Sequence, residues 1–406
     1  MAWWGLFSAM FWLYVGAASA DAVGVIDTVI GLVLSIATYG VVNAVLSRYS
    51  ARTGQSVELL SRRIFGLVGA VVAPLLLAAT ALYYAVFEGS IVAVSFHQYF
   101  GGSLDLWYLA CVAYMIPLVI GGIATWLDKL NGVLLPFYVI GMVAAVIAAT
   151  VKQGAPQHIF SGAPAGGPLP GWATSYLIYM GVWILMMYTV DYARLGKSAD
   201  QRFHARVTFG WVFYAFTFGV NALVGIYLLA AWHTGGSETG VVDAIIKSLG
   251  FVGVLLILVS QTRINSANYF LASDNLRLVG RMAGLRAPRA VWVVVVGVIA
   301  YIMMLTDVLS YLLQALAWQG VLITGWVAIV LVYIGVRNTA ASITMMRRVA
   351  VGSWVVSSVV GIVLLLQHAE PVAAQLAPVV TVVLAGGIYG LGLRVAGRGP
   401  ALDPAC

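Results

Sequence analysis

Long apolar runs, each closed by a short polar or arginine-bearing cluster, recur from one end of this chain to the other. A membrane-spanning helix needs about 20 apolar residues. That ruler divides the chain into twelve expected spans: 3–22, 28–47, 66–96, 106–126, 131–151, 171–190, 208–232, 243–273, 290–305, 308–335, 350–367 and 375–395. The pattern predicts an all-α polytopic membrane protein with no separate soluble domain.

One run breaks the pattern. The apolar stretch Ile245 to Val259 points into the bilayer and then turns polar with no proline or loop signal, as Ser260, Gln261, Thr262, Arg263, Asn265, Asn268 and Asn275 follow on one helix. A cation at membrane depth costs a few kcal/mol at least, so such residues face a bundle interior or a watery cavity and are functional candidates by default. Glu88, in Tyr83-Tyr84-Ala-Val-Phe-Glu88-Gly-Ser90 of the third span, is the one carboxylate well inside an apolar run.

The outer connection from Gln153 to Pro170 is rich in Gly, Pro and Ala and separates five spans from the seven after it. Five-helix repeats of opposite topology are a recurrent transporter plan, with broken helices at matching places holding the substrate near the midplane. The expected organisation is a first inverted repeat over 1–152, a second over 171–335, and two further helices over 350–396. Glu88 and Arg263 then fall on the third span of each repeat, where both can line one cavity. Gly16 to Ala20 interrupts the first span with small residues and Gly181 stands inside the sixth, so both are expected break points; small residues also serve close helix packing.

Composition agrees with this picture and narrows it. Of 406 residues, 62% are hydrophobic and 9% charged, far from the soluble norm of about 25% charged. The net charge of +7 is a topology signal. All basic residues except Lys152, Lys247 and Arg263 lie in the loops after even-numbered spans or in the tail, which are therefore read as cytoplasmic, with both termini. The predicted location is a cell membrane, the inner membrane if the source is bacterial, and no nucleic-acid role is expected. Two cysteines and five scattered histidines leave no disulfide framework, metal cluster or cofactor site. No nucleophile–base pair stands out in the spans, so an enzyme is not expected. Ala18-Ser19-Ala20 before Asp21 has the form of a signal-peptidase site, but the first residues carry no Lys or Arg and the topology needs the span, so it is read as retained.

Three stretches resemble the nucleobase:cation symporter-1 family, permeases for purines, cytosine, hydantoins, allantoin and thiamine-type heterocycles. Val190-Asp191-Tyr192-Ala193-Arg194-Leu-Gly-Lys197 after the sixth span is similar to the family's Asp-aromatic-x-Arg segment. The loop from Ala51-Arg-Thr-Gly54 through Ser61-Arg-Arg-Ile-Phe65-Gly66-Leu-Val-Gly69 resembles its Gly-rich arginine and Phe-Gly loop. Ala267-Asn268 stands where the family places a substrate-binding Asn.

The resemblance implies a leucine-transporter type of fold and a secondary transporter that imports a nucleobase or related planar nitrogen heterocycle by alternating access. A ligand-sensing or enzymatic membrane protein on the same fold is the alternative. In the family a planar base is held between an aromatic of the third span and a Trp of the sixth, here Tyr84, beside Tyr83, and Trp183, with Gly181 next to the latter. Trp183 is one residue off the family spacing, so Val182 is the other candidate. Glu88 occupies the position of a substrate-binding Gln, one turn from Tyr84 on the same face. The family's sodium-dependent members hold the ion between carbonyls of the first span and Ser/Thr hydroxyls of the eighth, a few residues before the Asn. Counting back five from Asn268 gives Arg263, beside Thr262, and a guanidinium has donors and no acceptor. The expectation is that Arg263 replaces the ion and holds the eighth span to carbonyls around Trp12 to Gly16. Transport is then sodium-independent, with Glu88-linked proton coupling or uniport as the alternatives. The cytosolic tail usual in the family is missing or lies outside this sequence.

Overall fold

The computed structural model describes residues 2–121, 123–157, 159–160, 167–306, 312–336, 342–367 and 371–396, and no strand occurs among them. Positions 308–311 of the tenth expected span, Arg337, Arg398 and Cys406 lie outside these residues. A 3-10 helix, Ala2–Ser8, leads into α1 (Phe11–Val23), α2 (Val25–Thr53), α3 (Val57–Phe100), α4 (Leu104–Ile120) and α5 (Ile123–Gln153). After the connection that follows α5 come α6 (Gly171–Met180), α7 (Ile184–Ala193), the short α8 (Gln201–Phe203), α9 (Trp211–Tyr214) and α10 (Asn221–Trp232), with π-helical turns at His204–Thr208 and Ala215–Val220. The chain continues through α11 (Glu238–Leu249), α12 (Phe251–Met282), α13 (Arg289–Met304), α14 (Leu312–Gly335), α15 (Ile343–Leu365) and α16 (Pro371–Ala396).

The protein is an all-α, multi-pass membrane protein. Among the described residues seven helices are long and apolar enough to cross a membrane, and the pair α6 and α7, bent by 45°, makes an eighth. α4 and α13 are apolar but shorter. α12 is apolar only in its first turns, because the polar stretch from Ser260 occupies its middle.

Two expectations change. The first span breaks at Ala9-Met10, between the 3-10 helix and α1, and α1 runs unbroken through Gly16 to Ala20. Gly16 is small for packing: a Cβ there would meet the Ala222 Cβ of α10 at 2.3 Å, as one on Gly225 would meet the Leu13 carbonyl oxygen at 2.3 Å. The run from Ile245 to Val259 is not one rod either. Gly250 (φ 60°) ends α11 and starts α12. Ser237 caps the N-terminus of α11, and Lys152 closes its C-terminus by donating to the carbonyls of Lys247 and Ser248 at 2.9 Å each, a favourable end for a cation. In addition, α3 carries a break at Gly66 (φ 69°), so that 57–65 is a short helix ahead of the span.

The chain divides into two compact units. The first comprises 1–37, 75–176 and 211–312, and contains α1, most of α3, α4, α5 and α10 to α13. In the second, 38–74, 177–210 and 313–406, Trp354 Nε1 donates to the Leu322 carbonyl at 2.9 Å and joins α15 to α14. Ser61 beneath the Gly66 break accepts from Trp326 Nε1 of α14 at 2.9 Å.

Candidate functional site

A broken helix leaves backbone groups without intrahelical partners, and inside a membrane each must be satisfied by protein. The start of the first span shows how. Its carbonyls are taken one after another: Trp4 by Arg263 Nη2 at 3.4 Å, Gly5 by Ser8 Oγ at 2.8 Å, Leu6 by Trp12 Nε1 at 2.8 Å, Phe7 by Asn221 Nδ2 at 2.7 Å and Ser8 by Ser260 Oγ. The Met10 N–H at the break donates to Gln261 Oε1 at 3.2 Å. Ser260, Gln261 and Arg263 of α12 thus explain the first part of the polar stretch: they complete the hydrogen bonding of a helix that is not their own.

Arg263 is completely buried. It reaches the Trp4 carbonyl in the 3-10 segment, not the region from Trp12 to Gly16, because the break lies earlier than the small residues indicate. Thr262 is turned elsewhere, 3.1 Å from the Tyr114 hydroxyl of α4.

Gln261 also meets the expected binding residue. Its Nε2 donates to Glu88 Oε2 of α3, and Glu88 is 1% exposed. Gln261, Asn265 and Asn268 lie four and three residues apart, so they share one face of α12. Both asparagines are buried, and Asn265 Oδ1 and Asn268 Nδ2 have no hydrogen-bond partner. A buried orphan polar atom costs about 1–3 kcal/mol, and here an acceptor and a donor lie without partners on one face of α12. Tyr84, one turn before Glu88, is buried with its ring 5.4 Å from Phe11 at 76°. Tyr83 stands 6.3 Å from Tyr84.

In the second unit the break of the sixth span falls at Gly181-Val182-Trp183, as expected from Gly181. These three N–H groups make i to i−3 bonds, while the Tyr179 carbonyl accepts from Tyr39 Oη at 2.6 Å and that of Gly181 from Gln319 Nε2 at 3.1 Å. A Cβ on Gly181 would lie 3.0 Å from that of Leu316, so the close approach of α14 favours glycine. Both Val182 and Trp183 are buried. Two of the stretches that carry the resemblance meet here: Asp191 Oδ1 accepts from the Val57 N–H at 2.8 Å, the start of the short helix before Gly66.

A cavity of about 470 Å³ opens beyond α1, lined by Asp21, His233 and Thr234 among others; it includes none of Tyr84, Glu88 and Asn268. No cluster of three or more metal-ligating side chains occurs among the described residues.

No family model matches the chain, and no curated protein matches it. Solved structures do. Mhp1, a nucleobase-cation-symport-1 family transporter, in a closed conformation with bromovinylhydantoin bound, is 16% identical with a TM-score of 0.69, over 100% of this chain and 93% of its own. Mhp1 in an inward-facing conformation gives 15% and 0.74, over 100% and 91%. A Na⁺-coupled sialic acid symporter gives 12% and 0.67, over 100% and 91%. The chain has the leucine-transporter type of fold. In that fold it brings Glu88, Gln261, Asn265 and Asn268 together with the broken start of the first span, while Trp183 and Gly181 stand at the break of the sixth. Sequence reasoning singled out Glu88, Arg263 and Asn268 but missed the roles of Ser260, Gln261 and Asn265. Their signal was present as polar residues at membrane depth, without an indication of which helix they serve.

Proposed function

We propose that this protein is a secondary transporter that imports a nucleobase or similar planar nitrogen heterocycle by alternating access. The observation that carries the reading is the buried face of α12, where Asn265 Oδ1 and Asn268 Nδ2 lack partners and Gln261 bonds Glu88 of α3. A flat ring stacks on Tyr84, and its N–H edge meets acceptors at Glu88 and Asn265 and a donor at Asn268. Trp183, or Val182 in its stead, is the proposed contribution of the sixth span. A substrate with adjacent N–H donors, such as the amino face of cytosine or guanine, suits a carboxylate better than the amide the family places there.

Sodium is not required in this reading. Arg263 and Ser260 donate to the Trp4 and Ser8 carbonyls at the start of the first span, and the fixed charge of Arg263 is proposed to take the part of a mobile cation. The remaining coupling modes are protons carried through Glu88 and uniport. The loop 191–207 and the C-terminal tail face the cytoplasm in this reading on the strength of their arginines, and the N-terminus with them because the expected number of spans is even.

Uptake of radiolabelled cytosine, purines and hydantoins into proteoliposomes, with and without sodium and a protonophore, tests the proposal. The expected outcome is sodium-independent uptake of one class, with a competition profile that changes in Glu88→Gln. Ligand binding without flux in any gradient favours a sensor, and strict sodium dependence removes the role given to Arg263.

A further inference from the structure

Gln261 is oriented by chemistry alone. The backbone N–H of Met10 can only donate, so the amide oxygen of Gln261 must face it, at 3.2 Å. The amide nitrogen must then face Glu88, whose Oε2 accepts from it. One side chain therefore joins the carboxylate on α3 to the point where the first span breaks, and neither bond can be made by turning the amide the other way.

We propose that Gln261 is the positioning residue that couples the state of Glu88 to the break of the first span at Ala9-Met10. The inference rests on Glu88 lying on the binding face described above. A proton taken up by Glu88 removes the negative charge from the bond to Gln261. That exchanges a charge-assisted hydrogen bond for a weaker neutral one. Gln261 is then held chiefly by Met10, and the break is released from α3. With Glu88 charged and empty, the carboxylate, the amide and the Met10 N–H form one continuous chain that pins the break between α3 and α12. Ser260, donating to the Ser8 carbonyl, stays fixed in both states, so the hinge is confined to the Met10 side. The titratable and charged groups described around Glu88 are Tyr138 of α5, which interacts with both Glu88 and Arg263, Arg263 of α12, Tyr84 on its own helix and Tyr14 of α1, packed beside Phe87.

The test reads conformation and needs no transported substrate, so it remains informative if the chain imports no heterocycle. In a background with Cys111→Ala and Cys406→Ser, a thiol is placed in the break by Ala9→Cys. Its labelling by a small methanethiosulfonate reagent is followed from pH 5 to 9 in proteoliposomes, normalised to the same protein carrying Glu88→Gln to remove the reagent's own pH dependence. The expected result is a change of roughly fivefold in normalised rate across one titration, the order that one hydrogen bond carries, and its disappearance in Gln261→Met. Gln261→Glu, which keeps the acceptor for Met10 but sets a second carboxyl against Glu88, should move the midpoint by more than about one pH unit. It serves also if Gln261→Met does not fold. A flat normalised profile in the parent protein, or a full titration that survives in Gln261→Met, overturns the coupling.

Discussion

Asn221 at the start of α10 is the hub whose removal is most readily converted into a number. It is 2% exposed; its Nδ2 donates to the Phe7 carbonyl at 2.7 Å and the Thr217 carbonyl at 3.1 Å, and its Oδ1 accepts from Tyr138 of α5 at 2.7 Å. Two of these bonds cross between elements, to the 3-10 segment and to α5. Interhelical hydrogen bonds in membrane proteins contribute about 0.6 kcal/mol on average and about 1.7 at most. The two together therefore contribute about 1.2 to 3.4 kcal/mol on that scale. The Phe7 carbonyl belongs to a segment too short and too broken to find another partner, which favours the upper half of that interval. The cavity left by the amide adds about 1 kcal/mol, so Asn221→Ala is expected to cost about 3–4.5 kcal/mol, and Tyr138→Phe about 1. Because the two residues share a bond, the double variant should cost less than the sum, with a coupling of about 1 kcal/mol. Denaturation of the purified protein by dodecyl sulfate in mixed micelles measures all three. Additive losses, or an Asn221→Ala variant within about 0.5 kcal/mol of the parent, would refute the account of how the first span is held.

The remaining predictions concern packing, capping and topology. Gly181→Val drives a side chain into Leu316 of α14 and should cost about 1–3 kcal/mol, measurable by the same denaturation; Gly16→Val should do likewise against Ala222. Asp191→Ala removes the acceptor for the Val57 N–H and should lower stability by about 1 kcal/mol, whereas Asp191→Asn, which keeps an acceptor oxygen, should retain most of it. Cysteine-accessibility labelling should reach position 197 only from the cytoplasmic side and position 157 only from outside. Labelling of 197 in intact cells would overturn the orientation and the inverted-repeat grouping with it.

Hydropathy is a local property, and what it governs was readable along the chain: the helical class, the approximate spans, and the two deep ionisable residues Glu88 and Arg263. Gly181 was readable too, since a glycine inside an apolar run marks either a break or a close contact, and here it is both. The break of the first span was not. Gly16 to Ala20 has the composition of a break but packs as a continuous helix against α10, and the chain opens instead at Ala9-Met10, where nothing local calls for it. A broken helix forms where other segments supply partners for its freed carbonyls and N–H groups. Those partners, Ser260, Gln261, Arg263 and Asn221, are more than 200 residues away. The same long-range bookkeeping gave Gln261 its role, because the direction of its amide is set by a backbone N–H on one helix and a carboxylate on another, and only the folded chain brings the two within its reach.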